Sequence, residues 1–189
     1  MDNKERIVLK PSQNSICGNS YNLLNIKLLN SCNGKCEFCI AAGTPFKKSG
    51  DAQKFIDTAN SMTKFLKIDV LGGEPTLYPD LVKVLKGIRP YKKDIGIISN
   101  GSNLKIIKEC IPYLDTVTLS IHSFDYNKNS TGIYINEKEL KDLNKNKGKA
   151  EIIAAVVVTN KTISNLKEIK CYARKAKRLG FSAIKLMDL

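Results

Sequence analysis

The sequence predicts an α/β protein built on one parallel β-sheet, and two observations carry that prediction. Short runs rich in Val, Ile and Leu alternate with longer amphipathic segments along most of the chain. The apolar runs also contain stretches that lack the in–out alternation of a half-exposed strand, as expected for strands buried on both faces. Repeated strand–helix units return each strand to the same sheet by right-handed crossovers.

The strands expected in order are Leu24–Leu29, Ile68–Leu71, Ile95–Ser99, Thr116–Ile121, Ile152–Val158 and Ala183–Met187. The first helix follows Gly50: Phe55, Ile56, Ala59, Met62, Phe65 and Leu66 recur at helical spacing, with Asp51 as N-cap. Leu81, Val82, Leu85 and Ile88 repeat the pattern up to Pro90, and Leu104, Ile107 and Ile111 repeat it up to Pro112. Leu166, Ile169, Tyr172, Ala173, Ala176 and Leu179 form the longest amphipathic stripe, with Gly180 placed to end it in a left-handed conformation. The stretch Asp125–Lys149 is rich in Asn and Lys and reads as a solvated connection with a short helix at Glu137–Leu143. There is no internal repeat. The expected organisation is a single domain over residues 1–189, with residues 1–21 as an N-terminal extension and 22–189 as the βα repeats.

A chain of 189 residues buries roughly 70% of its unfolded surface, enough for a core without disulfide staples. No apolar run is long enough to span a membrane, and the charged start MDNKERIVLK lacks the apolar centre of a signal peptide. A cytoplasmic location is therefore expected. The net charge of +13 comes from 31 basic and 18 acidic residues and gives a weak attraction to polyanions. Only four of those bases are Arg (Arg6, Arg89, Arg174 and Arg178). Arg reads bases and phosphates better than Lys does, so a dedicated nucleic-acid site is not the leading expectation.

In a reducing compartment the six cysteines must be read as something other than a disulfide framework. Cys17, Cys110 and Cys171 are scattered and fit small apolar side chains, buried or half-buried. Cys32, Cys36 and Cys39 crowd into CNGKCEFC, directly after the first strand. Thiolates so close can converge on one soft metal centre, and Asn33 and Gly34 permit the tight turn this needs. Structural zinc and electron-transfer [4Fe–4S] sites normally take four protein ligands, and no fourth Cys or His lies nearby. The one histidine, His122, is far along the chain. Three ligands leave one iron open to an external molecule.

The spacing C-x-x-x-C-x-x-C, with aromatic Phe38 before the last cysteine and a position after the first strand of a βα series, resembles the signature of the radical S-adenosylmethionine (SAM) superfamily. The resemblance implies a partial (β/α)6 TIM-like barrel of parallel strands, open on one side. It implies a [4Fe–4S] cluster held by Cys32, Cys36 and Cys39, with SAM on the open iron. The second strand runs into Gly72, Gly73, Glu74 and Pro75, which resemble the family's motif for the amino group of SAM. The glycines expose carbonyls and the Glu74 carboxylate suits an ammonium. Ser99 and Asn100 in ISNGS resemble the polar pair beside the cofactor. Ser120 and His122 in LSIHS share one strand face, the barrel interior, where the family contacts the SAM ribose or carboxylate. Asn160, after VVVTN, is a further candidate, and Ile184 and Leu186 are expected to face adenine or the sheet.

The implied reaction is reductive cleavage of SAM to a 5′-deoxyadenosyl radical that takes hydrogen from a substrate, fed by an electron donor such as flavodoxin or ferredoxin. A glycyl-radical-enzyme activase is the alternative within the class. A [4Fe–4S] electron-transfer or redox-sensing protein and a zinc-stabilised nucleic-acid module are the alternatives outside it. The sequence stops at Leu189, directly after the sixth strand. We therefore expect that edge to be covered by a second copy, a partner protein or a macromolecular substrate, the last matching the positive charge.

Overall fold

A computed structural model describes residues 23–39, 50–124 and 131–188 of the chain. The expected N-terminal extension and Cys17 lie outside the described residues. Six strands form one parallel sheet in sequential order: β1 Leu23–Lys27, β2 Lys67–Leu71, β3 Asp94–Ser99, β4 Thr116–Ser120, β5 Glu151–Val157 and β6 Ala183–Met187. The helices are α1 Ala52–Ser61, α2 Leu81–Ile88, α3 Leu104–Cys110, α4 Glu137–Lys145 and α5 Leu166–Leu179. Neighbours pack in turn, α1 on α2 through to α4 on α5. β1 and β6 do not pair among the described residues. The architecture is the expected α/β partial barrel, open on one side.

Caps set the helix starts. Asp51 accepts from the Lys54 N–H at 3.0 Å, Asn103 from Ile106 at 3.2 Å and Asn165 from Glu168 at 3.1 Å. At the end of α5, Gly180 has φ +92°, a left-handed conformation that an L side chain resists. Two endings differ from expectation. α1 stops at Ser61, short of Phe65 and Leu66, because the chain must turn to enter β2; the buried Lys92 donates to the freed carbonyls of Met62 (2.9 Å) and Phe65 (2.8 Å). Pro90 and Pro112 each lie within a short 3₁₀ turn (Arg89–Tyr91 and Ile111–Tyr113) that continues the helix before them.

The core lies between sheet and helices. Ile26, Ile68, Val70, Ile95, Ile97, Val117, Leu119, Ile152 and Val156 are buried there against Leu81, Leu85, Ile107, Leu140 and Leu179. Each such side chain contributes roughly 1.5–3 kcal/mol. Cys110 is buried, as expected, but Cys171 is exposed on α5. Burial on both faces of the sheet is confined to the middle of β3 (Ile95, Gly96, Ile97) and β5 (Ala154, Ala155, Val156). On the concave face Asn25 and Lys27 are exposed, while Asp69, Leu71, Ile98, Thr118, Ser120, Ile153 and Lys185 are half-buried. Ile184 and Leu186 pack on the core, so they face the helices and not the barrel interior.

Arg89 knits the bottom of the sheet. It donates to the carbonyls of Lys92 and Lys93, both at 3.0 Å, and pairs with Asp115, which also accepts from the Ile95 N–H at 2.9 Å. Burial works to raise the proton affinity of Asp115, but Arg89, the Ile95 N–H and Lys149 hold it below the ordinary carboxylate range. A depressed folded pKa stabilises above the unfolded value, and that stability is lost as pH falls through the folded one. Arg89→Met should therefore cost about 2 kcal/mol near neutrality, with a smaller penalty at pH 3, measured as urea midpoints at both values.

Candidate active site

The motifs meet at the carboxyl ends of the strands, where open α/β sheets place their ligands. The cysteine loop leaves β1 and runs beside the end of β2 as a continuation of the ladder. Leu28 N–H donates to Leu71 (3.1 Å), Gly73 N–H to Leu29 (2.9 Å) and Glu74 N–H to Ser31 (2.9 Å). Both glycines are required by this contact. A Cβ on Gly73 would stand 2.0 Å from the Ser31 carbonyl oxygen, and one on Gly72 would stand 2.7 Å from that of Leu29. These neighbours are backbone and cannot swing aside. Gly73→Ala should displace the cysteine loop and cost about 2–3 kcal/mol. Thermal melting of the metal-free protein and iron content after reconstitution should fall together.

Glu74 is only 1% exposed and is used up locally. Its Oε1 accepts from the Thr76 N–H (3.0 Å), the Thr76 hydroxyl (2.6 Å) and the Ser99 hydroxyl (2.8 Å), and its Oε2 from the Asn100 N–H (2.7 Å). Pro75 begins a 3₁₀ turn, Pro75–Leu77, which Glu74 caps. The carboxylate thus ties the end of β2 to the end of β3. Asn100 passes the tie on: its Nδ2 donates to Asn33 Oδ1 at 2.9 Å and faces the Cys32 sulfur at 3.7 Å. The Gly34 N–H donates to the same sulfur at 3.2 Å.

On the other side of the loop, Phe38 packs edge-on against His122, with ring centroids 4.5 Å apart. His122 is buried, and its Nδ1 accepts from the Val157 N–H at the end of β5 at 3.2 Å. Burial pushes its pKa down to about 4, so the ring is neutral at pH 7. Two more braces hold the loop: Lys35 N–H to the Thr131 carbonyl at 2.7 Å, and Lys161 to Glu37 at 2.5 Å.

Cys32 and Cys39 are exposed and Cys36 is half-buried. Burial, then the neighbouring Cys39 and Cys32 sulfurs, push the Cys36 thiol up to about 11. Among the described residues no three His, Cys, Asp or Glu side chains are gathered tightly enough to hold a single metal ion. A cubane cluster makes a different demand, since each thiolate takes its own iron. The donor set fits it: three thiols on one loop whose one carboxylate, Glu37, is paired with Lys161, and N–H groups aimed at one sulfur in the manner that tunes iron–sulfur centres. Phe38, Gly72, Gly73, Glu74, Pro75, Ser99, Asn100 and His122 all lie in this hydrogen-bonded and packed assembly. Ser120 sits half-buried on the concave face, and Asn160 stands exposed in the turn after β5 with no hydrogen bond to a described residue. Sequence reasoning missed Thr76, Asn33, Thr131 and the Glu37–Lys161 pair, which are ordinary loop residues until the fold brings them together.

A family model described as the radical SAM superfamily matches residues 26–167. The chain belongs to the radical SAM superfamily. A probable GTP 3′,8-cyclase of Thermococcus kodakarensis is 31% identical over 119 residues, 58% of this chain and 38% of that protein. One of Saccharolobus solfataricus is 27% identical over 88% of this chain and 56% of its own. An S-adenosylmethionine-dependent nucleotide dehydratase of a Fibrobacter species is 29% identical over 57% of this chain and 35% of its own. The chain spans between about a third and just over half the length of these curated relatives. Among solved structures, Streptococcus suis SuiB bound to S-adenosylmethionine superposes with a TM-score of 0.71 at 21% identity, covering 88% of this chain and 40% of that one. Archaeal TYW1 superposes with a TM-score of 0.60 at 15% identity, covering 89% and 65%. At such identities the likeness is one of fold. Radical SAM enzymes use a [4Fe–4S] cluster and SAM and need a reductant. Among the described residues no helix is long and apolar enough to cross a membrane.

Proposed function

We propose that this chain is the cluster- and SAM-binding core of a radical SAM enzyme, with Cys32, Cys36 and Cys39 as ligands to three irons of a [4Fe–4S] cluster. The observation that carries the reading is the hydrogen-bonded chain Thr76–Glu74–Ser99/Asn100–Asn33, which holds the strand-end loops of β2 and β3 against the cysteine loop. When bound, the cluster supplies the electron that cleaves the SAM sulfonium to methionine and a 5′-deoxyadenosyl radical. The chain's own work is placement. Gly72 and Gly73 let the backbone come close enough for their carbonyls to receive the SAM ammonium, and buried Glu74 fixes that turn. Asn100 and the Gly34 N–H steady the Cys32 sulfur. Phe38, wedged on His122, positions Cys39 and walls the site from water. We assign Ser120, on the concave face, and Asn160, in the turn after β5, to outer contacts with the cofactor.

We assign the substrate to the anionic nucleotides. Relatives are named for action on GTP and other nucleotides, and the net charge of +13 favours a polyanion. The activase alternative gains no support from the comparisons. A flavodoxin- or ferredoxin-type protein is the proposed electron donor. The test is anaerobic reconstitution followed by SAM and dithionite: 5′-deoxyadenosine and methionine should form in equal amounts. A cluster-loaded protein that returns SAM intact would overturn the reading.

A further inference from the structure

The concave face of the sheet carries a charge pattern that the cofactor site does not use. TIM-like barrels fill their interior with bulky branched side chains. Here Asn25, Lys27, Asp69, Gly96, Thr118 and Lys185 stand among Leu71, Ile98 and Ile153 on that face, placed there by alternation with the buried Ile26, Val70, Ile97, Leu119 and core-packed Ile184 and Leu186. Asp69 is the odd member. It sits mid-strand and half-buried, and among the described residues its carboxylate has no hydrogen-bond donor or ion-pair partner. The fold has made room for its carboxylate: a Cβ on Gly96, its register partner on β3, would stand 2.3 Å from Asp69 Oδ1. Burial first, then Asp94, raise its proton affinity, with Lys185 from the opposite side of the open barrel and Lys67 acting against them. Lys67 itself pairs with Asp94 at 2.7 Å.

A half-buried carboxylate with no protein donor keeps its accepting positions open to water or to a ligand that displaces it. It accepts best from a pair of N–H groups on one planar edge. Lys27, two residues above the level of Asp69, and Lys185 offer cations for phosphate. Asp69 lies three residues below Gly72, on the order of 10 Å along the strand. A purine nucleoside is about that long, so a base held at Asp69 leaves its sugar at the strand ends beside the SAM site.

The geometry points to Asp69 as the residue that reads the base of a nucleotide substrate through adjacent ring N–H and amino N–H groups, as guanine presents them, with Lys27 and Lys185 receiving the phosphates. This rests on the proposed radical SAM reading and specifies its substrate. Gly96 is the matching positioning residue, since Gly96→Ala keeps the carboxylate but pushes it aside.

The experiment is equilibrium titration of the cluster-reconstituted, SAM-loaded protein with GTP and with ITP, which lacks the 2-amino group, without reductant. Wild type should bind GTP at least about tenfold more tightly than ITP, the scale of one hydrogen bond to a charged group. Asp69→Asn and Gly96→Ala should each bring the two nucleotides to within about twofold. The double variant Lys27→Ala, Lys185→Ala should weaken both together and keep their ratio. Each ratio is internal to one protein, so partial misfolding does not mimic the result. No binding of either nucleotide, equal binding by wild type, or a preference that survives Asp69→Asn would overturn the inference. No turnover is read, so this outcome is separate from 5′-deoxyadenosine formation by wild type, which tests the broader reading.

Discussion

Replacing Cys36 with Ala is expected to leave a folded, colourless protein that forms no 5′-deoxyadenosine above the level of cluster-free wild type. Cys32→Ala and Cys39→Ala should behave alike, because no other described thiol or imidazole is placed to substitute. Cys110 is buried at the end of α3, and His122 accepts from the Val157 N–H. Iron should fall from about four per chain toward zero. Exposed Cys171→Ser is the matched control and should keep both iron and product. Far-UV circular dichroism should be unchanged in all four variants, since the loop hangs from the sheet and is not part of its core. Iron, sulfide and product, assayed in parallel, check the expectation.

Glu74→Ala is expected to damage stability and SAM binding together. It leaves the Thr76 N–H and hydroxyl, the Ser99 hydroxyl and the Asn100 N–H without their acceptor in a site that is 1% exposed. Each buried donor left unpaired costs about 1–3 kcal/mol, and the shared site makes the total less than additive, about 3–4 kcal/mol. Glu74→Gln should be intermediate: its carbonyl can serve Thr76 and Ser99, but its amide nitrogen then faces the Asn100 N–H. A carboxylate that only contacted SAM would give a different pattern, with weaker SAM binding and an unchanged melting temperature. Differential scanning fluorimetry and SAM titration on the same samples separate the two.

Much of this architecture was legible in the sequence. All six strands fall within a residue or two of the expected positions, because parallel strands under a helical layer are short, apolar and flanked by turn residues. The cysteine spacing and the strand-end positions of GGEP, SNG and SIHS point to one candidate site at the carboxyl ends of the strands. Less legible was what each residue does there. Glu74 reads as an ammonium partner in one dimension, and only the return of β3 beside β2 reveals the donors that saturate it. The two glycines read as room for a ligand, whereas their tightest constraints are the carbonyls of Leu29 (on Gly72) and Ser31 (on Gly73) in the neighbouring loop. Asp69 gave no signal, because a lone acidic residue in IDVL becomes informative only when Gly96 lies beside it. The end of α1 was misplaced for a related reason: Phe65 and Leu66 keep helical spacing, but β2 must start at Lys67 to pair with Leu23.

The claim at the centre of this account is that three cysteines and the two adjacent strand-end loops present a cluster with one iron open to SAM. Electron paramagnetic resonance of the dithionite-reduced, reconstituted protein, recorded before and after SAM is added, tests it most directly. Wild type should give a [4Fe–4S]+ signal whose line shape changes with SAM; the signal should be absent in Cys36→Ala and respond only at higher SAM concentration in Glu74→Gln. A wild-type cluster signal that SAM leaves unmoved, or a protein that takes up stoichiometric zinc and no iron, would contradict it.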